Sequence, residues 1–287
     1  MFAKILPASL VFGAANAATG KFNYDDIGAN WTVDGFHSPD CQTGREQSPI
    51  DLTKATVVSD ADGNVPKFEG YGYMDYPSGQ TALLLEHGIK MNIPDDGQIL
   101  KEQFPDGSKD EFYAAQLHFH APSEHAVDGK LYPLEMHIVH VHREFKDSRF
   151  SVIGVMFEVG DEENEYIASL DFENATAEGN PLTNVNLASF LAGLDMSKYW
   201  HYNGSFTTPP CTEGVKWWVL EKPVTISQAQ LTAFEEYGWG NANYKAGEGN
   251  NRIVQPLNDR TLYYRDSSSN AAALAIGSAA LAMLALF

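Results

Sequence analysis

Short apolar and β-favouring runs, separated by turn-forming residues, set the rhythm of this chain. The runs fall at residues 82–85, 112–119, 135–141, 152–159 and 216–220, and each has strand length. Asp62-Gly63, Pro77-Ser78-Gly79, Asp95-Asp96-Gly97 and Asp128-Gly129 punctuate them, as turns require. Helical stretches are few: 184–194 and 227–237 are the candidates, the second with Ser227 as a partial cap. Neither an internal repeat nor a low-complexity linker interrupts residues 20–265. The pattern predicts one domain, mostly β with minor helices, built on a mainly antiparallel sheet.

The two ends do not share that rhythm. Residues 1–17 carry Lys4, an apolar run and the small-residue ending Ala15-Asn16-Ala17, which reads as a secretory signal peptide. The domain then occupies 18–266. Residues 267–287 start Ser267-Ser268-Ser269-Asn270 and continue apolar or small to Phe287, with no basic residue after them. A GPI-attachment signal is the expected reading, although the polar spacer is nearly absent; a short tail anchor is the alternative. The expected location is therefore secreted or cell-surface, with the membrane touched only through the C-terminus.

Composition narrows the partners. Hydrophobic residues make up 44% and charged residues 20%, as in a globular protein and unlike a disordered one. Acidic residues outnumber basic ones 38 to 19. Nucleic acid needs clustered Lys and Arg, so it is excluded as a partner. Cys41 and Cys211 are the only cysteines. They are either one long-range disulfide, which an oxidising destination favours, or two buried thiols.

The histidines carry the chemistry. In Gln116-Leu117-His118-Phe119-His120 a strand sends Gln116, His118 and His120 to one face and Leu117 and Phe119 to the other. Beyond the turn at Asp128-Gly129 comes Leu134-Glu135-Met136-His137-Ile138-Val139-His140. If the two runs pair antiparallel, His137 faces the same point, with Glu135 beside it. Three neutral imidazoles with a fourth position open form a catalytic zinc site, not a structural one. Gln116 and Glu135 are then expected to accept the outer N–H of His118 and His137. His-x-His alone is an ordinary strand feature, and His125, His140 and His142 read as core or surface residues. Ser205-Phe206-Thr207-Thr208-Pro209-Pro210-Cys211 makes a rigid loop, which by itself is equally a structural turn.

Taken together these residues resemble the alpha-class carbonic anhydrases. The motifs are Gln47-Ser48-Pro49-Ile50, Gln116 to His120, Ser123-Glu124-His125, Glu135 to His140, Ser205 to Pro210 and Gln255-Pro256-Leu257. They occur in the family's order, and the similarity spans Trp31 to Leu262.

The resemblance implies a large twisted sheet with zinc, held by His118, His120 and His137, at the bottom of a cone-shaped cleft. It implies hydration of carbon dioxide to bicarbonate by zinc-bound hydroxide, zinc lowering the pKa of bound water to about 7 in these enzymes. Glu124 would accept the Thr207 proton, so that the Thr207 oxygen accepts from the nucleophile and aims it. Thr208 would line the substrate site, and Val139, Val152, Phe206, Val215 and Trp217 the apolar pocket, Phe206 replacing the usual leucine. Cys41 and Cys211 match the disulfide of extracellular members. Two departures follow. Trp31-Thr32-Val33 stands for the family's Trp-Gly-Tyr, so a water-ordering tyrosine is expected to be missing. Ile89 occupies the proton-shuttle position, which leaves His87 as the candidate substitute. Asn30, Asn174 and Asn203 head glycosylation sequons, Asn203 being expected bare. The oligomeric state stays open.

Overall fold

The computed structural model describes residues 22–29, 31, 40–53, 58–59, 65–72, 80–85, 88–93, 99–145, 148–171, 174, 180–182, 187–239 and 249–267. The expected signal peptide, the C-terminal tail beyond Ser267, Asn30 and His87 lie outside these residues. No described helix is long and apolar enough to cross a membrane.

Among the described residues thirteen strands join into one large sheet. In chain order they are β1 Val58–Ser59, β2 Lys67–Gly72, β3 Gln80–Leu85, β4 Gly88–Asn92, β5 Ile99–Gln103, β6 Lys109–His120 and β7 Leu134–His142. There follow β8 Phe150–Gly160, β9 Asn180–Leu182, β10 Lys198–Ser205, β11 Glu213–Leu220, β12 Val224–Ser227 and β13 Tyr263–Asp266. The lateral order is β9-β3-β4-β6-β7-β8-β11-β10-β13-β1. The long strands β6 and β8 each take two short partners end to end: β5 and β4 on β6, β11 and β12 on β8.

Most pairings are antiparallel, as expected, but β8–β11, β8–β12 and β13–β1 are parallel. A parallel neighbour needs a long crossover. The chain supplies one after β8 with the helices Glu165–Ser169 and Leu187–Ala192. The second of these is the centre of the helix expected at 184–194.

The helix Gln228–Trp239 matches the other expected stretch. Its cap is complete rather than partial. Gln230 N–H donates to Ser227 Oγ at 3.2 Å, and Ser227 N–H donates back to Gln230 Oε1 at 3.1 Å, a reciprocal capping box. The Gln230 side chain also bridges the backbone of Asn164, which caps Glu165–Ser169. One glutamine thus ties two helix starts together.

Every residue of β7 is buried, because both faces of the central strands carry core. Met136 and Ile138 pack with Leu117, Phe119, Ile153 and Trp218 on one face. Val139 and Val141 pack with Val152, Val215, Val219 and Trp217 on the other. At roughly 1.5–3 kcal/mol per fully buried large side chain, these two layers fix the strand register. A one-residue slip would exchange them. The second layer is the face that carries His118, His120 and His137.

Candidate functional site

β6 and β7 pair antiparallel with His118 opposite His137 and His120 opposite Glu135. Opposed residues share a face, so the three histidines converge. Ring centroids lie 5.0 Å apart for His118–His120, 5.2 Å for His118–His137 and 4.7 Å for His120–His137. One nitrogen from each ring lies within 4.8 Å of the other two.

The outer nitrogen of every ring is engaged by an oxygen that can only accept. His118 Nδ1 donates to Gln116 Oε1 at 2.9 Å, His120 Nδ1 to the Asn250 carbonyl at 2.8 Å, and His137 Nε2 to Glu135 Oε1 at 2.8 Å. Each tautomer is thereby set, and Nε2 of His118, Nε2 of His120 and Nδ1 of His137 are left bare toward one another. His120 Nε2 is buried with no hydrogen-bond partner, a costly state that a metal relieves. Burial holds His118 well below its ordinary pKa and pulls His120 to about 3, with a neighbouring histidine adding to both. Burial also lowers His137, though Glu135 opposes it. Neutral imidazoles are what a metal needs, so the residues fit zinc.

Behind the ligands stands a buried frame. Burial alone would raise the Glu135 carboxyl, but His125 and His137 hold it well below the usual range. Its second oxygen accepts the N–H of Glu124 at 2.8 Å and of His125 at 2.9 Å. His125 sits in the core as expected, yet it is a strut: Nδ1 is 2.7 Å from Glu135 Oε1 and Nε2 is 2.7 Å from the Tyr202 hydroxyl. Tyr202 donates in turn to Ser48 Oγ at 2.9 Å. Asn250 does for His120 what Glu135 does for His137. Its side chain accepts from Ala121 N–H at 2.8 Å and donates to Phe119 O at 3.0 Å, bracketing the ligand strand.

Glu124 is fully buried. Burial pushes its pKa well above the usual range, against hydrogen bonds from the Thr207 side chain and the Arg252 backbone. The Arg252 N–H reaches Glu124 Oε1 at 2.8 Å. Thr207 lies in the loop that follows β10. That loop is fastened by the Cys41–Cys211 disulfide and by Gln47, whose Nε2 donates to Cys211 O at 3.0 Å. Arg252 completes the clamp by donating to Gln47 Oε1, Ser48 O and Cys41 O at 2.9, 2.7 and 2.7 Å.

Over the histidines opens a cavity of about 250 Å³, walled by Val139, Val152, Phe206 and Trp217 and bordered by Thr207 and Thr208. Comparison with known proteins agrees with this arrangement. The family model of eukaryotic-type carbonic anhydrases matches residues 28–266. The chain belongs to that family. A carbonic anhydrase of Klebsiella pneumoniae is 35% identical over 82% of this chain and 90% of its own length. One from Dunaliella salina is 33% identical over 84% of this chain, which spans only 43% of that protein. The solved alpha-carbonic anhydrase of Thermovibrio ammonificans, complexed with the inhibitor sulfanilamide, aligns with a TM-score of 0.68 at 31% identity, over 85% of this chain and 98% of that one.

By family this protein is a carbonic anhydrase, an enzyme group whose general reaction is carbon dioxide hydration. One expectation needs revision, that of a missing tyrosine. Val215 is buried and packs with Val139, Val152 and Trp217 of the cavity wall. The cavity does not lack a tyrosine: Tyr24, seven residues before Trp31, lines it and packs edge-on against that tryptophan at 5.6 Å. Phe206 fills its larger volume by packing on Phe150 at 4.8 Å. Ile89 borders the cavity but is buried in the core layer that holds Met91 and Leu117. Asn203, heading one sequon, is exposed on β10. Asn250, Arg252 and Tyr202 carried no signal in the sequence, since their partners lie far away along the chain.

Proposed function

We propose that this chain hydrates carbon dioxide reversibly to bicarbonate and a proton with a zinc ion held by His118, His120 and His137. The observation that carries the reading is the buried, unpartnered His120 Nε2 within a triangle of nitrogens whose outer partners are all fixed. When bound, zinc supplies a Lewis acid that brings a water pKa to about 7, carbonic anhydrase being the standard example of that effect.

The chain's own residues do the rest. The Glu124 carboxyl accepts the hydrogen bond of the Thr207 hydroxyl, which leaves the Thr207 oxygen, at the cavity border, as an acceptor that orients the attacking water. Carbon dioxide is apolar and is received by Val139, Val152, Phe206 and Trp217, while Thr208 borders the same space. Gln116 and Glu135 hold His118 and His137 in their tautomers, which raises the basicity of the metal-facing nitrogens. His87 is offered as proton carrier in place of Ile89, since residues two apart share a side wherever a chain is extended; a His87→Ala variant with unchanged turnover in dilute buffer would end that idea.

The test is carbon dioxide hydration by purified, zinc-analysed protein. The reading requires one zinc per chain and activity abolished by chelation. Thr207→Ala is expected to keep its zinc and lose about 100-fold in kcat, since only orientation is disturbed. Unchanged kinetics would remove Thr207 from the mechanism.

Export completes the proposal. Residues 1–17 are removed as a signal peptide, and residues 267–287 are exchanged for a lipid anchor at the cell surface. The Cys41–Cys211 bond supports an oxidising destination. An intact Phe287 on the mature protein, by mass spectrometry, would refute the anchor.

A further inference from the structure

The cavity lining contains a single formally charged side chain among the described residues, and it is a cation. Lys90 lines the cavity beside Ile89, Gln116 and His118. It is placed there by register: β4 runs antiparallel to β6 with Lys90 opposite His118. The remaining polar lining consists of neutral imidazoles, hydroxyls and the Gln116 carboxamide. This stands against the character of the whole molecule, which bears a net charge of −19. Distant surface charges are damped beyond roughly 10 Å at moderate ionic strength, whereas a charge inside a partly dry cleft is not. An ion at the histidines therefore experiences Lys90 more strongly than the acidic exterior.

We propose that the Lys90 ammonium is a specificity-determining group that makes this cavity hold small monovalent anions, bicarbonate included, more tightly than its neutral lining would alone. Lys90 is half-buried opposite His118, so water screens its charge only in part. Carbon dioxide carries no net charge and is indifferent to Lys90. Bicarbonate, the product of hydration and the substrate of the reverse reaction, is attracted by it. Lys90 thus acts on one side of the reaction only, favouring capture of bicarbonate and slowing its departure.

The inference rests on the zinc site proposed above, and the experiment separates the two. Zinc-loaded wild type, Lys90→Met and Lys90→Arg are compared by calorimetric titration with thiocyanate and by steady-state kinetics in both directions. A unit charge at close range in a partly hydrated cleft is worth about three- to tenfold in affinity. Lys90→Met is therefore expected to raise the thiocyanate Kd and the bicarbonate KM by about that factor, with the carbon dioxide KM within about twofold of wild type. Lys90→Arg is expected to restore both. A zinc-replete Lys90→Met protein that binds thiocyanate as wild type does overturns the inference. So does a carbon dioxide KM that rises together with the thiocyanate Kd in both variants, because that marks a general disturbance of the cavity. A wild type without zinc would instead sink the metal-site reading.

Discussion

Two buried polar clusters sit on the same central strands, and they differ in whether they are closed. At one end of β5, β6, β8 and β11, Glu102 accepts hydrogen bonds from Ser151 Oγ and from Trp218 Nε1, the latter at 2.8 Å, and its other oxygen lies 3.4 Å from Lys216 Nζ. Lys216 also meets Asp110 at 2.6 Å and lies over the Phe104 ring at 3.8 Å. Asp110 is paired with Arg149 as well and lies 3.4 Å from His142 Nε2. At the other end stand the three histidines. The first cluster is charged and pairs its charges internally, Glu102 Oε2 meeting Lys216 as an ion pair without a hydrogen bond. The second is neutral, fully braced on its outer side, and bare on its inner side. Neutral buried nitrogens braced everywhere except toward a shared point are set to receive something; charges paired with one another hold the fold.

The largest expected effect tests the open cluster. His120→Ala should lower zinc affinity by more than about 100-fold, since losing even an outer partner of a ligand costs about 10–100-fold. Stoichiometric zinc in the purified variant, by atomic absorption, would remove His120 from the ligand set. The closed cluster should respond in stability, with zinc unaffected. Burial raises the Glu102 pKa, and Lys216 is the foremost influence opposing that rise. Lys216→Met leaves this carboxylate without its cation and should cost about 3–5 kcal/mol in denaturant unfolding. Glu102→Gln combined with Lys216→Met should recover at least half of that loss, because the glutamine oxygen can still accept from Ser151 and Trp218. A double variant no better than the single one would show that the cluster is not a self-contained unit. The smallest effect separates the braces from the ligands. Gln116→Ala should weaken zinc by about 10–100-fold and leave unfolding of the zinc-free protein nearly unchanged; a large change in that unfolding would make Gln116 a packing residue.

Both clusters had traces in the sequence, though unequal ones. His118 and His120 two apart on a strand announce a shared face, and Gln116 and Glu135 sit two positions before their ligands on that same face, where local geometry alone brings them into reach. Glu102, Asp110, Ser151, Lys216 and Trp218 show no such spacing. They meet only because β5, β6, β8 and β11 lie near one another in the sheet. Tyr24 has no such spacing either: Trp31-Thr32-Val33 holds no tyrosine, whereas the aromatic group is assembled from Phe22, Tyr24 and Trp31 across a turn.

By itself the sequence determined what depends on neighbours along the chain: strand runs, the turn at Asp128-Gly129, the ligand spacing on β6, the Ser227 cap and the family motifs. It did so because side-chain alternation and capping are local, set by backbone geometry within a few residues. Tertiary structure alone decided that His137 stands opposite His118 and that Asn250 braces His120. It also decided that Lys90 lines the cavity, and that β8 and β11 run parallel. Each of these brings together groups from different strands or distant loops. Their proximity follows from which strands pair and in what register, and that choice is made by the two apolar layers packed against the sheet's faces.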